Sequence, residues 1–557
     1  TTGIVEATSG SPQPRCNHVP GREMPIKRAG KACHRYTADR GEDPMNNRHN
    51  LFALALAICI CTLAGNQSLL AVAGGVVEIR VTDKDSGQPV AVRMHLKNQQ
   101  GRAIKPSGHP SWNDHFVFDG KVELKLAPGN YTFEMERGTE YRVRSGNFTI
   151  QPNASDNELV TMHRFVDMKK EGWWAGDLHI HRPLKDIRLL MLAEDLHVAP
   201  VITWWNKRNL WVDRKLPEEL LVPVGNQRFY HLLAGEDERG GGALLYFNMP
   251  RPLEITAAER EYPSSASYLI ESRKFDRCHV DIEKPFWWDM PMWIASGMVD
   301  SIGLCNNHMQ RSGMLANEAW GKPRDEGRFP GVLGNGLWTQ EIYYQLLETG
   351  HRIPPSAGSA SGVLKNPVGY NRVYVHCGEK LDYNAWFEGL RKGQVVVTNG
   401  PLLRPYVNDQ LPGHVFQSPA GSSLALQPRL NLSLRDKVEY LEVIKNGRVV
   451  HQVRLADYAQ MGGQLPAVEF KQSGWLLVRA VTTNPKTYRF ASTGPYYVEI
   501  GDSRRISKSA ASFFLGWVNE RIEMLQLEDP QKREQVLQYH RAARDYWQKV
   551  VDGANVD

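Results

Sequence analysis

Between Gly75 and Met168 apolar and polar residues alternate in short runs: "GVVEIRVTD", "AVRMHLKN", "GKVELKLAPGNYTFEME" and "YRVRSGNFTIQ". Successive side chains of a strand point to opposite faces, so a period of two predicts half-buried strands joined by turns. Residues 74–168 are therefore expected to form a small β-sandwich. From Lys169 to about Leu403 the rhythm changes, and strand-like "DLHIH", "VAPVITWW", "HLLAGED", "ALLYFNM", "CHVDIE", "MVDSIGLCN", "RVYVHC" and "QVVVTN" are interleaved with helical stretches such as "KDIRLLMLAEDLH" and "LWTQEIYYQLLETG". Repeated β/α units over 169–403 predict an α/β barrel, whose ligands gather at the C-terminal ends of its strands. Strand-rich sequence returns over 404–502, a second expected β-sandwich. Residues 503–557 read as a C-terminal helical hairpin broken at Asp529-Pro530, where Asp suits an N-cap and Pro the first helical position.

The 557 residues are 41% hydrophobic and 23% charged, ordinary for a globular chain of several domains. Met45 opens a short n-region with Arg48, an apolar run Leu51–Ala64 and then Ala71-Val72-Ala73. That layout predicts a signal peptide over 45–73 and an exported protein, periplasmic or extracellular, with no stable membrane insertion after cleavage. The apolar run is shorter than the roughly 20 residues of a membrane span. Residues 1–44 carry no Met start and no pattern, and are expected to lie upstream of the true start, untranslated or disordered. Thr1–Ala73 holds eight Lys/Arg and five Asp/Glu of a chain whose net charge is +6, which leaves +3 for the rest. No basic patch points to nucleic acid. Three cysteines remain beyond Ala73, an odd number that implies no disulfide framework.

Candidate chemistry collects at the ends of the central strands. His179 and His181 stand in an i, i+2 relation, so both imidazoles reach one point from one face of an extended chain. Glu236 and Asp237 follow an apolar run, His279 and Asp281 repeat the i, i+2 spacing, and His308 follows "SIGLCNN". Two histidines, an acid and a later histidine are the ligand types of Zn²⁺ or Mn²⁺/Fe²⁺ hydrolytic sites. Trp173-Trp174, Trp204-Trp205 and Trp287-Trp288 adjoin these ends; as aromatic faces they suit sugars or an aromatic substrate, and as core residues they suit packing. Lys284 fits a phosphate or carboxylate contact, or a surface lysine lying along apolar neighbours.

"GDLHIH", "LLAGEDE", "CHVDIEKP", "VDSIGLCNNH" and "GQVVVTNGPLL" resemble the PHP-domain metallohydrolases of the CehA/McbA (carbaryl-hydrolase-like) group over about Lys169–Leu403. The "LAPGNY" turn resembles the prealbumin-like or carboxypeptidase-regulatory modules that precede secreted enzymes. The first resemblance implies a distorted (β/α)7 barrel with a metal centre at its mouth, held by His179, His181, Glu236 and His279. Departures accompany the matches. "ITWWN" puts Trp204 and Trp205 where the family carries "TDH", "AGSASG" puts Ala360 where it carries "GSD", and "RPLKDI" replaces "SDG". One divalent ion rather than a cluster is therefore expected, with Asp281 or His308 as general acid/base and Trp204, Trp205, Lys284 and Trp287 against a small-molecule or glycan-type substrate. The expected activity is metal-dependent hydrolysis of an ester, amide, carbamate or phosphoester. The other reading is a non-catalytic secreted glycan-binding protein on a degenerate barrel.

Overall fold

Every second residue of the strand Gly75–Asp83 is buried, as the alternation predicts. That strand pairs antiparallel with Lys121–Leu126 and parallel with Ser155–Met162. A second sheet runs through Ser111–Trp112, His115–Asp119, Ala91–Asn98, Gly129–Glu136 and Arg144–Ile150. The two share one core that includes Val77, Ile79, Val81, Met94, Leu96, Phe116 and Phe118. The computed structural model describes residues 74–255 and 258–557; the expected upstream segment 1–44 and signal peptide 45–73 lie outside the described residues.

The described chain is mixed α/β, with strands in several sheets and eight α-helices. In the central region Val198–Trp205 runs parallel to Phe229–Arg239, which pairs antiparallel with Gly242–Phe247, and that in turn with His279–Ile282. Parallel pairings continue to Ser301–Cys305 and Pro355–Ala357. The strand Trp173–Gly176 ends just before the histidine pair and the chain bends at Leu178, after which Ile180 bridges Val201 on one side and Ser361 on the other. His181 N donates to Ser361 O (2.8 Å) and Ile202 N to Ile180 O (2.9 Å). These bonds fix the histidine segment between the two neighbouring chains.

The described residues, 74–255 and 258–557, fall within one compact unit. The expected boundary near Leu403 does not interrupt the sheet, because Val395–Thr398 pairs with Arg372–His376 on one edge and with Phe490–Thr493 on the other. Beyond it, helices Lys508–Met524 and Pro530–Asp552 pack on the body through Phe514, Trp517 and Trp547. Asp529 caps the second helix by accepting from Gln531 N and Lys532 N, with Pro530 in its first turn. Trp547 Nε1 donates to Pro291 O (2.9 Å), and Arg521 pairs with Asp289 (2.8 Å) and Glu261 (2.6 Å).

Candidate functional site

Glycine and small residues let the histidine segment sit against its neighbour. A Cβ at Gly358 would lie 2.5 Å from His179 Cβ, and one at Gly362, whose φ is +105°, would lie 2.5 Å from His181 O. The "GSASG" segment is thus a backbone cradle. Its Ser359 hydroxyl is engaged with the Asn371 backbone. Asp177, fully buried, accepts from His179 N (3.0 Å), Ser359 N (3.0 Å) and Gly369 N (2.7 Å), clamping the strand end to that cradle.

With the backbone held, three donor atoms converge. His179 Nε2 and His181 Nε2 are 3.0 Å apart. Glu236 Oε2 lies 3.4 Å from the first and 3.1 Å from the second. Ligands about 2.0–2.2 Å from one tetrahedral ion stand about 3.3–3.6 Å from each other, so these separations sit at or just under that edge length. Glu236 Oε2 is buried and makes no hydrogen bond, an orphan that a cation would satisfy. The donor set, two neutral-capable imidazoles and a carboxylate, suits a divalent metal with a further position left for water or substrate. Burial opposes charge on all three. For Glu236 the two histidines override burial and hold the carboxyl well below its usual range. For His179 the Glu236 and Glu283 carboxylates override it and raise the pKa, whereas burial prevails at His181 and lowers it.

His179 has a second carboxylate partner that the sequence reading missed. Its Nδ1 lies 3.3 Å from Glu283 Oε1. Glu283 is in turn contacted by Lys284 Nζ, accepts from Trp287 Nε1 (2.9 Å) and accepts from Asn307 Nδ2 (2.5 Å). A carboxylate on the far nitrogen of a ligating histidine fixes its tautomer and orientation. The signal was present in "HVDIE", where residues 279, 281 and 283 share one face of the strand.

The expected ligand His279 lies elsewhere. Leu245 pairs with Asp281 and Phe247 with His279, so His279 stands two residues before Asp281 and four before Glu283, the residue that reaches His179. It is fully buried between Phe247 and Phe387, with Nε2 2.8 Å from Ser301 Oγ, and burial pulls its pKa down to about 3. Asp281 is enclosed as well, accepting from the Ser301 and Ser356 hydroxyls; burial, only partly offset by those bonds, raises its pKa to about 7. His308 is buried against Phe286 with Nδ1 2.9 Å from Asn317 O, and burial followed by the Lys284 charge lowers it to about 3.

The expected substrate residues separate into two kinds. Trp204 is core: its ring stacks on Tyr246 and occupies the space over Gly235, where a Cβ would fall 1.7 Å from the indole. Trp287 is buried and serves Glu283, with Lys284 Nζ 4.4 Å from its ring centre. Lys284 is itself 3% exposed, so it is neither a surface lysine nor free for substrate; it neutralises Glu283. Trp205 differs. Its ring is 5.0 Å from that of His181, its Nε1 donates to Glu238 Oε2 (3.1 Å), and it lines an open cavity of about 510 Å³. Glu238 lines the same cavity and belongs with Glu236 and Glu283 to one carboxylate group. Burial first, then those two carboxylates, raise the Glu238 pKa to about 8.

His95, Asp114 and His115 also cluster, in the N-terminal sheet. There Arg93 Nε donates to His95 Nε2 (3.1 Å), which leaves the proton of that neutral ring on Nδ1, facing Asp114 at 3.2 Å. Asp114 is thus a charge contact to His95, and it also faces His115 Nδ1 at 3.4 Å. Cys278 and Cys305 are buried and unpaired, as small apolar residues would be.

No family model and no curated protein matches the chain. Among solved structures, phospholipase PlaB from Legionella pneumophila is similar over 17% of this chain and 26% of its own, at 12% identity and a TM-score of 0.13. The pilus-presented adhesin Spy0125 (Cpa) is similar over 17% of this chain and 28% of its own, again at 12% identity and TM-score 0.13. The chain thus spans about a quarter of the length of each, and at that TM-score neither likeness bears on fold or activity.

Proposed function

We propose that the protein is a metal-dependent hydrolase with one divalent ion, Zn²⁺ or Mn²⁺/Fe²⁺, held by His179, His181 and Glu236. The observation that carries this reading is the convergence of three buried donor atoms within 3.0–3.4 Å, one of them an unbonded carboxylate oxygen, beside an open cavity. A bound ion supplies water activated near neutral pH and Lewis-acid polarisation of the scissile group. The protein's own residues divide the remaining work. Glu283 orients His179; Lys284, Trp287 and Asn307 hold Glu283; Trp205 anchors Glu238 at the cavity wall. Glu238 is the carboxyl positioned to move a proton there, in place of the enclosed Asp281 and His308. The bond cleaved is an ester, amide, carbamate or phosphoester, and the central strands form the PHP-like barrel that the motif resemblance implies, with β-sandwiches before and after it. Export follows from the Met45–Ala73 pattern.

The glycan-binding reading loses its support, since it rested on aromatic faces at the mouth. Trp173, Trp174, Trp204, Trp287 and Trp288 are all buried, and Trp205 is the member of the three pairs that lines the cavity.

Elemental analysis of chelator-free protein tests the proposal. About one divalent ion per chain is expected, lost in His181→Ala and retained in His279→Gln. Protein that binds no Zn²⁺, Mn²⁺ or Fe²⁺ when these are supplied would refute it.

A further inference from the structure

The cavity beside the candidate metal group has a wall rich in basic side chains. Its wall carries four cations, Lys207, Arg208, Arg239 and Arg260, against two carboxylates, Glu238 and Glu259. Two of these charges are already spent. Arg239 forms a two-pronged pair with Asp237 (2.5 and 2.7 Å), and Glu259 is matched by Lys532 (2.5 Å). Arg260 reaches Glu261 only at 4.0 Å. Lys207 and Arg208 are exposed and have no ion pair among the described residues. They sit in the turn that follows Trp205, where Trp205 pairs with Arg208 across a tight hairpin.

That hairpin sets the distance between charge and chemistry. The Arg208 guanidinium carbon is 5.5 Å from the Trp205 ring centre, and the same ring is 5.0 Å from that of His181. Trp205 thus stands between His181 and the Arg208 guanidinium, and it shares the cavity wall with Lys207 and Arg208. Asn206 fixes the hairpin, its Nδ2 donating to Glu238 O (2.7 Å) and its Oδ1 accepting from Glu238 N (2.8 Å). Two cations without an ion pair on the wall of a cavity that shares Trp205 with the His181 side select by charge, because a cleft lined by one sign focuses the field on the ligand.

We infer that the site takes an anionic substrate, one bearing a carboxylate or phosphate beside the scissile bond, recognised by Lys207 and Arg208. The inference rests on the hydrolase reading for its catalytic meaning, though not for the binding itself. The test compares two p-nitrophenyl esters of equal chain length, the anionic mono-p-nitrophenyl succinate and the neutral p-nitrophenyl butyrate, with p-nitrophenyl phosphate as the third arm. The metal-loaded full chain is expected to prefer an anionic probe at least tenfold in kcat/KM. The double variant Lys207→Ala/Arg208→Ala should lose that preference at least tenfold, mainly through KM on the anionic probe, while its metal content stays unchanged. Succinate selectivity assigns a carboxylate, and phosphate selectivity a phosphate. Equal rates on charged and neutral esters, or a preference that survives the double variant, would overturn the inference. Turnover of none of the three probes would remove these ester and phosphomonoester bonds from the hydrolase reading without bearing on the charge inference. Calorimetry of succinate and inorganic phosphate against metal-free protein then decides the charge inference: binding that is lost in the double variant sustains it, and no difference between the proteins removes it.

Discussion

His179 bridges two carboxylates, its Nδ1 3.3 Å from Glu283 and its Nε2 3.4 Å from Glu236. The first contact orients the ring and the second shares the candidate ion. Replacing Glu283 by Gln keeps the shape and removes the charge. We expect metal affinity to fall about 10–100-fold, measured by competition with a chromophoric chelator. Unchanged affinity would show that Glu283 does not act through His179.

Lys284 is buried against Glu283, so Lys284→Met leaves a carboxylate uncompensated. The expected cost is about 3–5 kcal/mol in urea unfolding. Adding Glu283→Gln should recover part of it, since the double variant has no orphaned charge. Strict additivity of the two losses would contradict the pairing.

Neighbouring tryptophans should respond in opposite ways. Trp204→Ala empties a core site and is expected to cost about 3–5 kcal/mol of stability. Trp205→Ala borders the cavity and should cost far less, while lowering kcat/KM on any substrate found. Denaturation midpoints and steady-state kinetics on both variants check the contrast.

His279 gives a pH prediction. Burial lowers its folded pKa to about 3, against about 6.5 in an unfolded chain. A depressed pKa means the neutral form favours the fold, so this contribution is intact above about pH 6.5 and is lost progressively as pH falls toward 3. His279→Gln cannot take up that proton. Its stability should fall less steeply between pH 6 and 4, by about 1.4 kcal/mol per pH unit at most. Urea melts across that range read the difference; parallel curves would remove His279 from the account.

The local periodicities were legible, and long-range register was not. The i, i+2 spacing of His179 and His181 and the Asp529-Pro530 helix start were readable because each depends on a few adjacent residues. Choosing among His279, Asp281 and Glu283 required knowing where the strand stops relative to Glu236, which cross-strand pairing decides. Trp204 and Trp205 look alike in sequence, and Gly235 on the neighbouring strand decides which ring is core. Burial of Lys284 likewise depends on Trp287 and Glu283 closing around it. The Leu403 boundary was drawn from a change in strand rhythm, which carries no information on pairing across it.

Val395–Thr398, the sequence VVVT, is hydrogen-bonded on both edges, once to the central strands and once to Phe490–Thr493. A fragment cut at Leu403 would bare one of those edges over three consecutive valines, a ready template for strand addition by another copy. The central region is therefore not expected to behave as a cassette that can be lifted out: one of its edges is covered by residues nearly a hundred positions downstream, and a truncation at Leu403 would turn an internal seam into an adhesive one.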